Sequence, residues 1–215
     1  MKDLSEPRIG GLLAGMGLAV GGAAFAGFLA RRHAGRGDDA PQYTRKRNSA
    51  GYAVVGRTVT IRKSRADLYN FWREFQNLPK FMENVESIES DGDAHVWRIK
   101  APAASAVDIR TTVSEEKQNE YIAWKSVEGS DIETAGVVEF DDAPGERGTR
   151  VSLVIAYNPP AGAVGRTIAK AFLREPETQA RHDLKRFKML METGEVATSA
   201  RRRDQTRQAQ QQENG

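Results

Sequence analysis

The sequence predicts an α+β fold: one strand, two short helices, six further strands and a long C-terminal helix. Three observations carry this. Between Val85 and Tyr157, short runs of alternating apolar residues recur, separated by turn-like breaks such as "DGD", "EKQNE" and "DAPGERG". After "NPPAG" the apolar period changes to that of a helix. Before them stands a β-branched run followed by an aromatic-rich helical stretch. Consecutive strands joined by tight turns form an antiparallel meander, and its apolar face must be covered. The C-terminal helix is the large element that can do so.

The elements follow in order. Ala53–Ile61, "AVVGRTVTI", reads as a strand. Ser64 and Asp67 make a capping-box-like helix start. Leu68, Phe71, Trp72 and Phe75 fall at i, i+3, i+4 and i+7 on one helical face. Pro79 sits in a second short helical turn, with Phe81 and Met82 just after it. Six strands are then expected at Val85–Ser90, His95–Lys100, Val107–Val113, Tyr121–Val127, Thr134–Phe140 and Thr149–Tyr157. The helical pattern runs from about Ala163 to Thr193, with Ala180, Leu184, Phe187 and Met191 on one face. Pro176 is expected to break or kink it. Gly194 supplies a stop.

Side chains alternate across a strand, so shared parity marks a shared face. His95, Trp97 and Ile99 point together, as do Ile122, Trp124 and Ser126. So do Thr134, Gly136, Val138 and Phe140, and likewise Val151, Leu153, Ile155 and Tyr157. Such faces make either a packed core or the wall of an apolar pocket. The candidate pocket residues are Phe71, Trp72, Phe75, Phe81, Trp97, Trp124, Ser126, Phe140, Leu153, Tyr157 and Phe187.

The flanks have a different character. The 215 residues carry a net charge of +3, with 32 Lys+Arg and 29 Asp+Glu. Between Ala53 and Glu195 the net charge is −3, and the remaining ends carry +6. No basic stripe with interleaved aromatics occurs in the centre, which argues against a nucleic-acid partner. Ile9–Ala30 holds 22 residues without a charge. That is long enough to cross a hydrocarbon core of about 30 Å as a helix. Six Lys/Arg follow between Arg31 and Arg47, against Lys2 and Arg8 before the segment. The positive-inside rule then places the following domain in the cytoplasm. A cleaved signal peptide is the alternative, with "AFA" at Ala24–Ala26 as its cleavage site, and a glycine-rich hairpin or peripheral segment is a third. The expected organisation is an anchor over residues 1–33, a polar linker over 34–52, a domain over 53–195 and a disordered tail over 196–215.

Catalytic signatures are thin. There is no cysteine, hence no disulfide, thiolate metal site or thiol nucleophile. The three histidines, His33, His95 and His182, have no metal-ligand spacing. No GxSxG elbow or Walker motif occurs. Tyr157, Ser126 and Arg98 are conceivable proton donors, although Arg98 has the opposite parity to Trp97 and should point outward. No catalytic set, metal or cofactor is assigned.

The order and spacing of "YNFWREFQNLPKFMENVESIE", "HVWRIKAP", "NEYIAWKSVEG", "GVVEFDDAPGERGTRVSLVIAYNPPAG" and "DLKRFKMLMETGEVAT" resemble the START-like, or SRPBCC, superfamily. Within it, the match is to the polyketide cyclase/dehydrase and coenzyme-Q-binding START-type branch. The resemblance implies a helix-grip fold, in which a curved seven-stranded antiparallel sheet wraps the long C-terminal helix around an apolar cavity. It also implies a small hydrophobic ligand: a lipid, a quinone or a polyketide-like molecule. The leading expectation is therefore a membrane-tethered binding module. A cyclase or dehydratase acting on an apolar carbonyl compound is the second, and an adaptor whose cavity its own side chains fill is the third.

The pairs Gly11/Gly15 and Gly17/Gly21 are GxxxG spacings, which permit close helix packing and a homodimer through the apolar segment. Gly15→Leu with Gly17→Leu should reduce the crosslinked dimer of the full chain, and an unchanged dimer band would remove the idea.

Overall fold

The computed structural model describes residues 53–100, 106–158 and 176–196. Strand β1 (Ala53–Ile61) leads to helix α1 (Arg65–Arg73) and a 3-10 turn (Phe75–Lys80). Six strands follow: β2 (Val85–Asp91), β3 (Ala94–Lys100), β4 (Ala106–Lys117), β5 (Tyr121–Ser126), β6 (Glu133–Asp142) and β7 (Thr149–Asn158). Helix α2 (Pro176–Thr193) comes last. The strands form one sheet in the order β1-β7-β6-β5-β4-β3-β2, every pair antiparallel.

Local chemistry explains the joints. The Ser64 hydroxyl accepts the Asp67 N–H at 3.1 Å and caps α1. Regular helix ends at Arg73, and Pro79 is accommodated inside the 3-10 turn that follows. The β4–β5 turn places Asn119 at φ 62, a conformation asparagine tolerates better than most residues. At Gly148, φ is 96 and an added Cβ would lie 2.2 Å from the Ile61 carbonyl oxygen. Only glycine lets the β6–β7 loop lie against the end of β1.

The inner sheet face carries the main core. Leu68 and Trp72 of α1, Phe75 and Leu78 of the turn, and Ala180, Leu184 and Phe187 of α2 pack onto it. Helix α2 lies along β1, where Lys188 Nζ donates to the Thr60 carbonyl at 2.8 Å and Glu192 Oε1 accepts the Arg62 N–H at 2.8 Å. The alternation of strand faces is as read from sequence, and Arg98 does point outward, paired with Asp108 at 3.0 Å.

Two features differ from the sequence expectation. The outer face also holds an apolar cluster, made of Tyr121, Ala123, Val137 and Val154 with Val54 against it. Strand β4 runs beyond Val113 to Lys117 through a register shift between Val113 and Glu115. That bulge reverses side-chain parity, so Glu116 faces the same side as its partner Ile122. The described part of the C-terminal helix runs Pro176–Thr193, and the expected helical pattern before Pro176 lies outside the described residues. The expected anchor, the linker and nearly all of the tail lie outside the described residues. Among the described residues no helix is long and apolar enough to cross a membrane.

Gly136 is a structural requirement of another kind. A Cβ there would stand 2.2 Å from Trp124 Cζ2, because the Trp124 indole lies flat across β6. Gly136→Ala should destabilise the fold by about 3 kcal/mol through forced displacement of the indole. Chemical denaturation of Gly136→Ala, Trp124→Leu and the double variant checks this. The alanine should cost much less once the indole is gone, and equal cost in both backgrounds would reject the contact.

Candidate ligand site

The aromatic residues singled out by sequence come together on the inner side of the sheet. Phe187 of α2 is the hub. Its ring centroid lies 5.7 Å from that of Phe71, 5.1 Å from Trp72 and 4.7 Å from Phe81. Trp72 also meets Phe81 at 5.3 Å and Phe140 at 6.4 Å. A second group sits toward β3–β5. Phe75 approaches Trp97 at 5.6 Å and Trp124 at 6.1 Å, and the two tryptophans stack at 6.1 Å with an interplanar angle of 21°. These are direct ring contacts, so the side chains themselves occupy the space between α1, α2 and the sheet.

The remaining candidates fall on the same face. Leu153 and Tyr157 are buried on β7. Ser126 is buried with its hydroxyl committed to the Thr134 N–H at 3.0 Å. Phe71 is only partly buried. Burial also raises the pKa of the Tyr157 phenol.

Most buried polar groups inside this wall are satisfied. Trp97 Nε1 donates to Thr111 Oγ1 at 2.8 Å, and the Thr134 hydroxyl donates to the Ala156 carbonyl at 2.9 Å. Two ring nitrogens are not: Trp72 Nε1 and His95 Nδ1 are buried without a hydrogen-bond partner. Trp72 is fully buried, and His95 is half-buried with its ring edge-on to Phe75 at 4.6 Å. A buried donor or acceptor left unmatched costs about 1–3 kcal/mol.

Near His95 lies a polar group that the sequence did not reveal. Tyr69 and Arg73 are one helical turn apart on α1, and the bulge in β4 turns Glu116 toward them. Arg73 Nε meets Glu116 Oε2 at 2.6 Å, and the Tyr69 phenol bonds to both side chains. The ion pair is partly solvent-accessible and contributes about 1 kcal/mol or less. Its electrostatic effect is more informative. Burial, and then the Arg73 charge, hold His95 below the ordinary imidazole range, so the ring is neutral at pH 7. Burial, and then Glu116, raise the Tyr69 phenol.

A third set joins α2 to the segment after the 3-10 turn. Asp183 Oδ1 accepts the Glu83 N–H at 3.2 Å and the Gln179 amide at 2.9 Å. Arg186 Nε donates to the Phe81 carbonyl at 3.0 Å. His182 is exposed, 3.5 Å from the Glu83 carboxylate. Among the described residues no cluster of His, Cys, Asp or Glu is placed to hold a metal ion. A broad open groove of about 1020 Å³ lies at the other end, around Arg62–Ala66 and Glu146–Thr149, and contains none of the candidate residues.

The His95 environment makes a prediction. Arg73→Met should move the His95 titration midpoint upward, toward the ordinary value, while burial keeps it from reaching it. Ring-proton NMR follows this directly, and an unmoved midpoint would show that the Arg73 charge does not act on the imidazole.

Comparison with known proteins places this arrangement. A structure of a Deinococcus radiodurans protein, DR_A0006, is 36% identical, with a TM-score of 0.54 over 66% of this chain and 98% of that one. An uncharacterised 17.2 kDa protein of Streptomyces lincolnensis is 29% identical over 124 residues, 58% of this chain and 79% of that protein. The Zhui aromatase/cyclase from Streptomyces sp. R1128 shares the fold, at 10% identity and a TM-score of 0.51 over 68% of this chain and 99% of that one. The family described as polyketide cyclase/dehydrase and lipid transport matches residues 61–185. With the helix-covered antiparallel sheet, this match makes the chain a member of the polyketide cyclase/dehydrase family of the START-like, SRPBCC superfamily.

Proposed function

We propose that residues 53–195 form a binding domain for a small hydrophobic molecule bearing a polar group, a lipid, quinone or polyketide-like compound. The observation that carries this reading is the pair of unmatched nitrogens, Trp72 Nε1 and His95 Nδ1, in an aromatic interior where neighbouring polar atoms are satisfied. A ligand between α2 and the sheet would enter against aromatic rings and supply the missing partners. Trp72 Nε1 is a donor and calls for an acceptor such as a carbonyl. Neutral His95 offers a nitrogen that can donate or accept, according to its tautomer. Binding requires Phe71, Phe81 or Phe187 to move aside, because their rings are in mutual contact.

Tethering completes the proposal. Ile9–Ala30 is charge-free and of spanning length, and the basic residues that follow it favour a cytoplasmic domain. An apolar ligand partitions into the bilayer, so a short linker keeps the domain near its source. A second reading, an enzyme acting on an apolar carbonyl compound, is favoured by one observation. Neutral His95 lies within electrostatic reach of Arg73, itself joined to Tyr69 and Glu116. A base beside groups able to stabilise an oxyanion is the minimum for enolisation chemistry. Turnover of a polyketide-like substrate that disappears in His95→Phe would favour it.

Native mass spectrometry with organic extraction of the full chain tests the binding reading. The wild type should carry a stoichiometric apolar adduct. His95→Phe keeps a ring of similar size and removes the nitrogen, so it should retain much less ligand while the apo protein loses no stability, or gains some. Trp72→Phe removes the nitrogen together with part of a fully buried indole, so it should also retain much less ligand but lose stability to the cavity left behind. Full retention in both variants would reject the role of the nitrogens. A bare protein from several expression hosts would reject the binding module in favour of an adaptor.

A further inference from the structure

One route into the proposed interior lies between helix α2 and what it packs on, and among the described residues α2 is held along two edges. Along β1, Lys188 and Glu192 bond to the Thr60 carbonyl and the Arg62 N–H. Along the segment Phe81–Asn84, Asp183, Arg186 and His182 form a clasp within little more than one helical turn. The clasp closes over the aromatic hub, because Phe81, whose carbonyl it holds, is packed on Trp72 and Phe187. Lys100 ties the same segment to β3, donating from Nζ to the Glu83 carbonyl at 3.0 Å. The segment is thus anchored on the sheet side, and its link to α2 centres on one buried carboxyl group.

We propose that this clasp is a proton-operated gate to the ligand interior: α2 parts from Phe81–Asn84 when Asp183 ionises, with the β1 edge as the hinge. The proposal rests on the ligand-binding reading for its purpose, and on the clasp geometry for its mechanism. The groups facing Asp183 are the Glu83 N–H from the segment and Gln179, His182 and Arg186 from α2; the Glu83 carboxylate meets His182, and Lys100 holds the Glu83 carbonyl from β3. Burial pushes the Asp183 carboxyl up to about 6, against the opposing pull of the Glu83 N–H, Gln179, Arg186 and His182. The sign follows from linkage. A carboxyl whose pKa is raised in the closed state holds its proton better there, so closure is favoured at low pH. That advantage falls as pH rises from the ordinary carboxylate range through about 6. Between pH 5 and 8 the closed-to-open ratio should drop about tenfold.

Two readouts on the full chain in phosphatidylcholine nanodiscs test the gate. The first is native-state hydrogen exchange of the Glu83 amide, corrected for the intrinsic pH dependence of exchange. The second is the dissociation rate of Nile red, an apolar fluorescent probe. Protection of Glu83 should fall about tenfold from pH 5 to pH 8, and Nile red should leave faster by a similar factor. Asp183→Asn, which mimics the protonated state, should be protected and slow at both pH values. His182→Gln should keep the pH dependence. Constant Glu83 protection in the wild type, an equal fall in Asp183→Asn, or loss of the dependence in His182→Gln would each overturn the assignment. Glu83 opening with pH while Nile red rates stay flat would overturn the gate. Glu83 behaving as expected with no Nile red bound would uphold the clasp and reject the ligand reading.

Discussion

The pairing of β1 with β7 is the constraint on which the rest of the molecule depends. It runs unbroken from Ala53↔Tyr157 to Ile61↔Thr149 and joins the first and last of the described strands. The other neighbouring strands are successive in sequence, so their pairings close short loops. The β1–β7 ladder instead closes over the whole meander, at a larger entropic cost that the continuous register must offset. Its consequence is positional. With β1 at the edge of the sheet, α1 leaves the end of that strand onto the inner face, and α2 has a strand to lie along. Gly148 lets the end of this ladder close, since its backbone lies against Ile61 and Arg62.

On that frame the inner face reconciles two demands. Phe187 must reach Phe71, Trp72 and Phe81 for α2 to be held, and those contacts fill the space a ligand would use. Stability through packing and access for a guest oppose each other at the same rings. The polar atoms differ along this face. Thr111, Ser126 and Thr134 are matched within the sheet, so that part of the wall is built as core. Trp72 Nε1 and His95 Nδ1 are unmatched and lie where α1 and the 3-10 turn meet the sheet. An unmatched buried nitrogen at such positions costs stability that a matched or apolar group would not.

The electrostatics follow the same division. Exposed pairs such as Arg98–Asp108 and Arg110–Asp91 decorate the outer face and edges, where water screens them. The groups with consequences are at the two seams where a helix meets something else. At the α1–β4 seam, Arg73 bridges Tyr69 and Glu116 and adds to the effect of burial, which is the larger cause that holds His95 below the ordinary imidazole range. At the seam between α2 and Phe81–Asn84, Asp183 is buried by the packing of the helix.

The sequence by itself determined the element order, the helix cap at Ser64 and the faces of the strands. These depend on local rules: hydrophobic period, side-chain alternation, and the hydroxyl that accepts a nearby N–H. Hence Trp97, Trp124, Phe140 and Leu153 were legible as inner residues before any coordinates. Tertiary structure alone decided what those residues do together. The bulge after Val113 is invisible in a run of polar residues, yet it turns Glu116 inward to meet Arg73. Asp183 lies in the charged run "RHDLKR", and its burial depends on how closely α2 meets Glu83. Gly136 looks like an ordinary strand glycine until Trp124 is seen lying across it. A local pattern encodes which face a side chain takes. Which groups meet across strands and helices is set by register and helix placement, and those depend on the whole chain at once.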